Sequence, residues 1–198
     1  MMPRMFRALG ALVVVGAVAF ASRADAAPQK KKYHFELTAV TARSEVAADT
    51  AAIAQPRIEA QVKKAFESHA QLVGALEGAP DPRTAAEPYR KWIERKGLAG
   101  SFLVTVEITE ASQALEPMPD KPSSQRLTIH VALHTLGETI PGRTMGFTGD
   151  GQATIKIEVG KKLRDKDREY GWDQAAELAV ADAIKTSLAQ LDKPAKKT

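Results

Sequence analysis

The chain of 198 residues contains no cysteine. That absence excludes disulfide stapling, so stability has to come from burial. It also excludes a lipid-modified amino terminus, which requires a cysteine after the apolar run. Aromatics make up only 6% of the chain. Near the mixed charge run Lys161–Glu169 they amount to Tyr170 and Trp172. Single-stranded nucleic acid is bound by aromatics interleaved with basic residues, so that class is set aside. No apolar run reaches the roughly 20 residues that a spanning helix needs.

The longest such run, Ala8–Ala21, is about 14 residues and follows Arg4 and Arg7. A charged start, a short apolar middle and a small-residue exit at Ala24-Asp25-Ala26 make a cleavable signal peptide over residues 1–26. The expected mature chain starts at Ala27 and is periplasmic or secreted, with no integral membrane segment. Its length of about 170 residues suits one domain with its own core. Residues 1–26 hold three arginines and one aspartate, a net +2, which leaves +2 of the total +4 for the remainder. The basic residues at the tips read as solubilising ends: a flexible tip over 27–32 and a disordered tail over 193–198. The domain itself is expected over 33–192.

Tyr33–Ala42 alternates apolar and polar residues, as a half-buried strand does. A helix is expected over Ala51–Leu76, capped by Asp49 or Thr50, with Ile58, Val62, Phe66, Ala70 and Val73 on one stripe. Pro56 fits that helix only in a first turn. A short helix, Pro88–Lys96, would bury Tyr89, Trp92 and Ile93 and stop at Gly97. Three alternating strands follow around Phe102–Ile108, Leu127–Leu133 and Ala153–Val159. Long loops, Ser112–Ser124 and Gly137–Gly151, would join them. A last helix, Trp172–Leu191, turns the small residues Ala176, Ala179 and Ala183 inward. The order β-α-α-β-β-β-α predicts an α+β fold: one mainly antiparallel sheet of about four strands with helices on one face. The other face is then free for a partner.

Chemistry is sparse. His130 and His134 are four apart, and on a strand that places them about 13 Å from each other, too far to share an ion. His34 with Glu36 could join one of them as a metal site, and solvent-face histidines are the plainer expectation. The segment Gly142–Gly151 is glycine-rich, but it leads into a strand and lacks the Gly-Lys-Ser/Thr of a phosphate loop. It is expected to be a contact loop presenting Arg143, Met145, Phe147 and Asp150. There is no Gly-x-Ser-x-Gly elbow. No catalytic residue, cofactor or metal is assigned.

The stretches Gly100–Ile108, Arg126–His134 and Ile140–Ala153, followed by an alanine-rich helix, resemble an uncharacterised exported domain of myxobacterial type. That domain is sometimes joined to HEAT repeats, and the resemblance carries over no catalytic residue. The element order is also similar to the amino-terminal domain of the Tol-system propeller protein. The curli secretion lipoprotein and the outer-membrane activators of penicillin-binding proteins share that layout. The resemblance implies a non-enzymatic envelope protein.

The expected function is a non-catalytic exported domain that binds a protein or envelope component, its oligomeric state open. One alternative is a small metal-dependent enzyme or metal-binding protein using the strand-face histidines. Another is a small-ligand carrier using the groove between the Trp92 helix and the sheet.

Overall fold

A computed structural model describes residues Lys30–Lys193. The expected signal peptide lies outside the described residues, as does the tail after Lys193. Eight elements follow one another: β1 (Lys32–Ala42), α1 (Ala48–Ser68), β2 (Leu72–Val73), α2 (Ala86–Arg95), β3 (Leu98–Pro117), β4 (Ser124–Thr139), β5 (Met145–Gly160) and α3 (Asp165–Leu191). The fold is α+β, as the sequence predicts. The sheet has five strands in the order β2-β1-β3-β4-β5.

Two features of the sheet correct the sequence reading. β1 pairs in parallel with β2, to which α1 joins it, and in parallel with β3, which follows after α2. Only β3-β4 and β4-β5 are antiparallel. β2 is the fifth strand, and it takes residues assigned above to the end of the first helix. A strand of two residues carries no period, so Leu72 and Val73 fit a helical stripe equally well.

α1 starts at Ala48 and runs through Pro56. The proline lies on the exposed side of the helix, where Ala52 is exposed as well. The carbonyl that loses its helical partner can therefore be satisfied by water, which limits the cost of an interior proline. Ala54, Ile58, Val62 and Phe66 form the buried stripe. α3 begins at Asp165, earlier than expected, because the charge run belongs to its first turn. There Arg164 donates to both carboxylate oxygens of Asp167 at 2.7 and 2.9 Å. Its inner face carries Ala176, Ala179, Val180, Ala183, Ser187 and Leu188, all buried.

α1 and α3 cover one face of the sheet. The main core there is a cluster of phenylalanines with the aliphatic rows of β3 and β4. Phe35 stacks on Phe147 at 5.0 Å between centroids, and both meet Phe102 edge-on. α2 lies on the opposite face, which corrects the expectation that all helices share one side. Its Tyr89 and Ile93 form a second, small core with Leu98, backed by Val73, Leu76 and Ile140. Trp92 is only half-buried there.

Both long loops are mostly strand. β3 continues to Pro117, and its last six residues are exposed on both faces, so no alternation marks them. β4 continues to Thr139 and β5 starts at Met145, which leaves a turn of residues 140–144. The glycines of that segment serve packing. A Cβ on Gly151 would sit 2.2 Å from the Ala179 carbonyl oxygen, and one on Gly149 would sit 2.1 Å from Ser187 Oγ. Their absence lets α3 lie directly on β5.

Candidate binding surface

The face of the sheet away from α1 and α3 is half-covered. At one end α2 and the segment after β2 roof it over; along the rest it is open. The roofed end is a groove with two chambers. One chamber, about 310 Å³, is lined by His34, Glu36, Asp81 and Tyr89 among others. Its neighbour, about 490 Å³, shares Glu36, Asp81 and Pro82 and adds Arg83, Leu103, Ile140, Pro141 and Arg143.

Each polar group here is placed by a local rule. His34 alternates with Tyr33 and Phe35 on β1 and so faces away from the main core. It is 4% exposed. Its Nδ1 donates to the Val73 carbonyl of β2 at 2.7 Å. A carbonyl only accepts, so the proton sits on Nδ1 and Nε2 keeps a free lone pair. Burial pushes the His34 pKa down, while the Val73 bond and the Glu36 charge pull it back up. Tyr89 Oη and Ser101 Oγ share a buried hydrogen bond of 2.7 Å. Burial raises the Tyr89 pKa, the Ser101 bond opposes this, and the Glu36 charge adds to the rise. Asp81 accepts from the Arg83 amide at 2.8 Å, which closes a turn and orients the Asp81 carboxylate. Arg143 has a left-handed φ of 52°. Glycine or asparagine would take that conformation with less strain. The Arg143 guanidinium bonds Glu138 at 2.8 Å.

The expected contact loop is divided. Met145 is 62% exposed. Arg143 lines the groove, and Asp150 bonds His134 Nδ1 at 2.6 Å on the open face. Phe147 is 1% exposed and belongs to the main core, so it is withdrawn from the contact surface. The expected groove beside α2 exists, but Tyr89 lines it and Trp92 does not.

The histidines do not assemble. His34 stands beside Ser101 of β3, and His134 beside Glu107, six residues further along. That is about 20 Å of strand. His130 bonds Thr154 at 2.9 Å and approaches Glu110 at 3.3 Å. Among the described residues no three His, Asp or Glu side chains are grouped to hold a metal. Nor is any described helix long and apolar enough to cross a membrane.

The sheet edges are treated unequally. The first half of β5 is covered by α3 side chains. Gln190 accepts from the Thr148 amide at 2.8 Å, Thr186 donates to the Asp150 carbonyl at 2.7 Å, and Asp182 accepts from the Gln152 amide at 3.3 Å. β1 is protected by β2, by a register shift between Leu37 and Ala39, and by Gln55, which donates to the Val40 carbonyl at 2.6 Å. β3 differs. The Ile108 carbonyl accepts from the Arg43 amide at 3.0 Å, so core-facing residues of β3 direct their backbone groups toward β1. A bulge between Ile108 and Glu110 follows, and β1 ends. Ala111, Gln113 and Leu115 continue that outward row, and among the described residues no strand lies beside them. Trp172 Nε1 donates to the Gln113 side chain at 3.0 Å and leaves its backbone free.

No family model matches the chain, and no curated protein matches it either. The resemblance of the last hundred residues to a HEAT-associated exported domain therefore gains no support. Solved structures with a similar layout include lipoproteins and hypothetical proteins. The hypothetical protein CT253 from Chlamydia trachomatis is 12% identical, with 81% of this chain and 98% of that one covered and a TM-score of 0.42. Protein XCC0632 from Xanthomonas campestris is 9% identical, covering 84% and 91%, with a TM-score of 0.43. Rare lipoprotein B from Shewanella oneidensis is 9% identical, covering 78% and 94%, with a TM-score of 0.37. At such scores these likenesses carry no inference about function.

Proposed function

We propose that the protein is an exported, non-catalytic domain of the periplasm or cell exterior that binds a protein partner by adding a strand to β3. One observation carries this reading: among the described residues the row Ala111, Gln113 and Leu115 is both unpaired and uncharged, whereas β1 is shielded by β2 and Gln55, and β5 is capped over 148–152 and carries Lys156 and Glu158 beyond. An unpaired edge is a template for an extended peptide, whose main-chain hydrogen bonds supply affinity and whose side chains supply selectivity. Ala111–Leu115 carries no charge. An edge built to repel strands would carry lysine there. Pro117 closes the row, since a residue without an amide hydrogen is tolerated at an edge.

Leu115→Pro tests the reading. It deletes one outward amide and leaves the β4 ladder intact. Envelope extract passed over immobilised mature protein should yield a partner that the wild type retains and the variant loses, with thermal stability little changed. In the complex, the Ala111, Gln113 and Leu115 amides should become protected from hydrogen exchange. Equal retention by both proteins, or no new protection on β3, would overturn the reading.

A further inference from the structure

A second site lies at the other end of the sheet and stands independently of the strand edge. The geometry points to the two-chamber groove under α2 as a binding site for a small zwitterion: an ammonium group in the His34 chamber and an anionic oxo-acid in the Arg83–Arg143 chamber.

The His34 chamber is built to accept hydrogen bonds. His34 is 4% exposed, and its single hydrogen bond among the described residues uses Nδ1. Nε2 makes none. It is not sealed off, because the sealed, unpartnered side-chain atoms among the described residues are on Gln125 and Arg168. The space it reaches is the chamber it lines. An accessible lone pair on a side chain that is otherwise buried is aimed into the chamber, where water or a ligand can donate to it. A ligand that enters the chamber with an N–H group can take that acceptor. Glu36 and Asp81 line the same chamber. Glu36 has no ion pair or hydrogen bond among the described residues, so its charge is available to a cation. Lone pair and carboxylates together define a site for a group with several N–H donors and a positive charge, which is an ammonium.

The adjoining chamber shares Glu36 and Asp81 and adds two guanidiniums. Arg83 donates from its backbone to Asp81, yet its guanidinium has no partner among the described residues. Arg143 lines the same space from the turn between β4 and β5. It holds a left-handed backbone that favours a smaller residue, and the exposed pair with Glu138 recovers at best a small part of that strain. Retaining arginine there makes sense if its side chain is used. Two guanidiniums recognise a carboxylate or a phosphate, both of which accept forked hydrogen bonds. Pro82, Leu103 and Ile140 form apolar walls for a short spacer. A volume of about 490 Å³ lies within the usual range of small-molecule sites.

The two chemistries that meet this description are an amino acid or short peptide and a phosphoethanolamine headgroup. The experiment is an NMR titration of the full mature protein with alanylalanine, with O-phosphoethanolamine and with N-acetyl-alanylalanine. Saturable shifts at His34 Nε2, Tyr89 and Arg83 are expected with at least one zwitterion. Preference for alanylalanine would mark a peptide or amino-acid site; preference for phosphoethanolamine would mark a headgroup site. Where alanylalanine binds, acetylating its amine should weaken it at least about tenfold. Glu36→Gln and Arg83→Ala, both at exposed positions, should each weaken the preferred zwitterion by about tenfold while leaving the melting temperature unchanged. No saturable shift with either zwitterion up to about 10 mM would overturn the proposal. So would acetylated and free dipeptide binding alike, or both variants binding like the wild type.

Discussion

His34 shows how one side chain can be read correctly for position and wrongly for environment. Alternation along β1 places it opposite Tyr33 and Phe35, as expected. The sequence does not reveal that β2 and α2 close over that face, so a solvent histidine is in fact buried. Burial lowers its pKa from 6.5, and this has a consequence for stability. A lowered value in the folded state means that folding disfavours proton uptake. Its contribution is therefore full above about pH 6.5 and is lost as pH falls toward the folded value. The urea midpoint should drop between pH 7.5 and pH 5.5 in the wild type. His34→Gln should be less stable at pH 7.5 and show a shallower drop. An unchanged slope would mean that other groups carry the acid sensitivity. Phe147 teaches the converse lesson. Its glycine-rich surroundings read as a flexible loop, yet it stacks at 5.0 Å on Phe35 in the centre of the core.

At the scale of elements, what the sequence made legible depended on burial. The segments with one buried and one solvated face, β1, the first half of β3, and the middle of β4 and β5, were visible as alternation. The far end of β3 and the two-residue β2 were not. The first is exposed on both faces, and the second is too short to have a period. Glycine misled for a physical reason. It marks both turns and close approaches, and only the neighbouring element distinguishes the two. At Gly151 the neighbour is α3, with the Ala179 carbonyl oxygen 2.2 Å from where a Cβ would stand. Backbone on both sides leaves little to yield. Gly151→Ala should therefore cost about 3 kcal/mol, the upper part of the usual overpacking range. Chemical denaturation measures it. Because α3 supplies Asp182, Thr186 and Gln190 to the β5 edge, the variant should also exchange its Thr148 and Gln152 amides faster. A loss below about 0.5 kcal/mol would show that α3 can shift outward freely.

For the whole molecule, the two cores are unequal. The main one joins α1, α3 and the inner face of the sheet. The other holds Tyr89, Ile93 and Leu98 with a few half-buried neighbours. The sequence predicted a single domain but not this division, because the short amphipathic pattern of α2 does not say which sheet face it covers. The candidate site follows the same line: Glu36, His34 and Arg143 were singled out, while Asp81 and Arg83 lie between the two expected helices, in a segment that was given no role. Local opening free energy scales with buried apolar contact. α2 should accordingly open before the rest, and its amides should exchange through a subglobal step with a smaller denaturant dependence than those of α3. Ile93→Ala should raise the α2 rates while leaving those of α3 near their wild-type values. Identical free energies and slopes for both helices would show one cooperative unit instead. The groove connects this motion to binding, because Tyr89 of α2 forms a wall of the His34 chamber. A ligand held there binds only when α2 is docked, so it must slow α2 exchange selectively, by a factor that rises with ligand concentration. Strand addition at β3 would leave α2 unaffected, and hydrogen exchange can thus assign each binding event to its own end of the sheet.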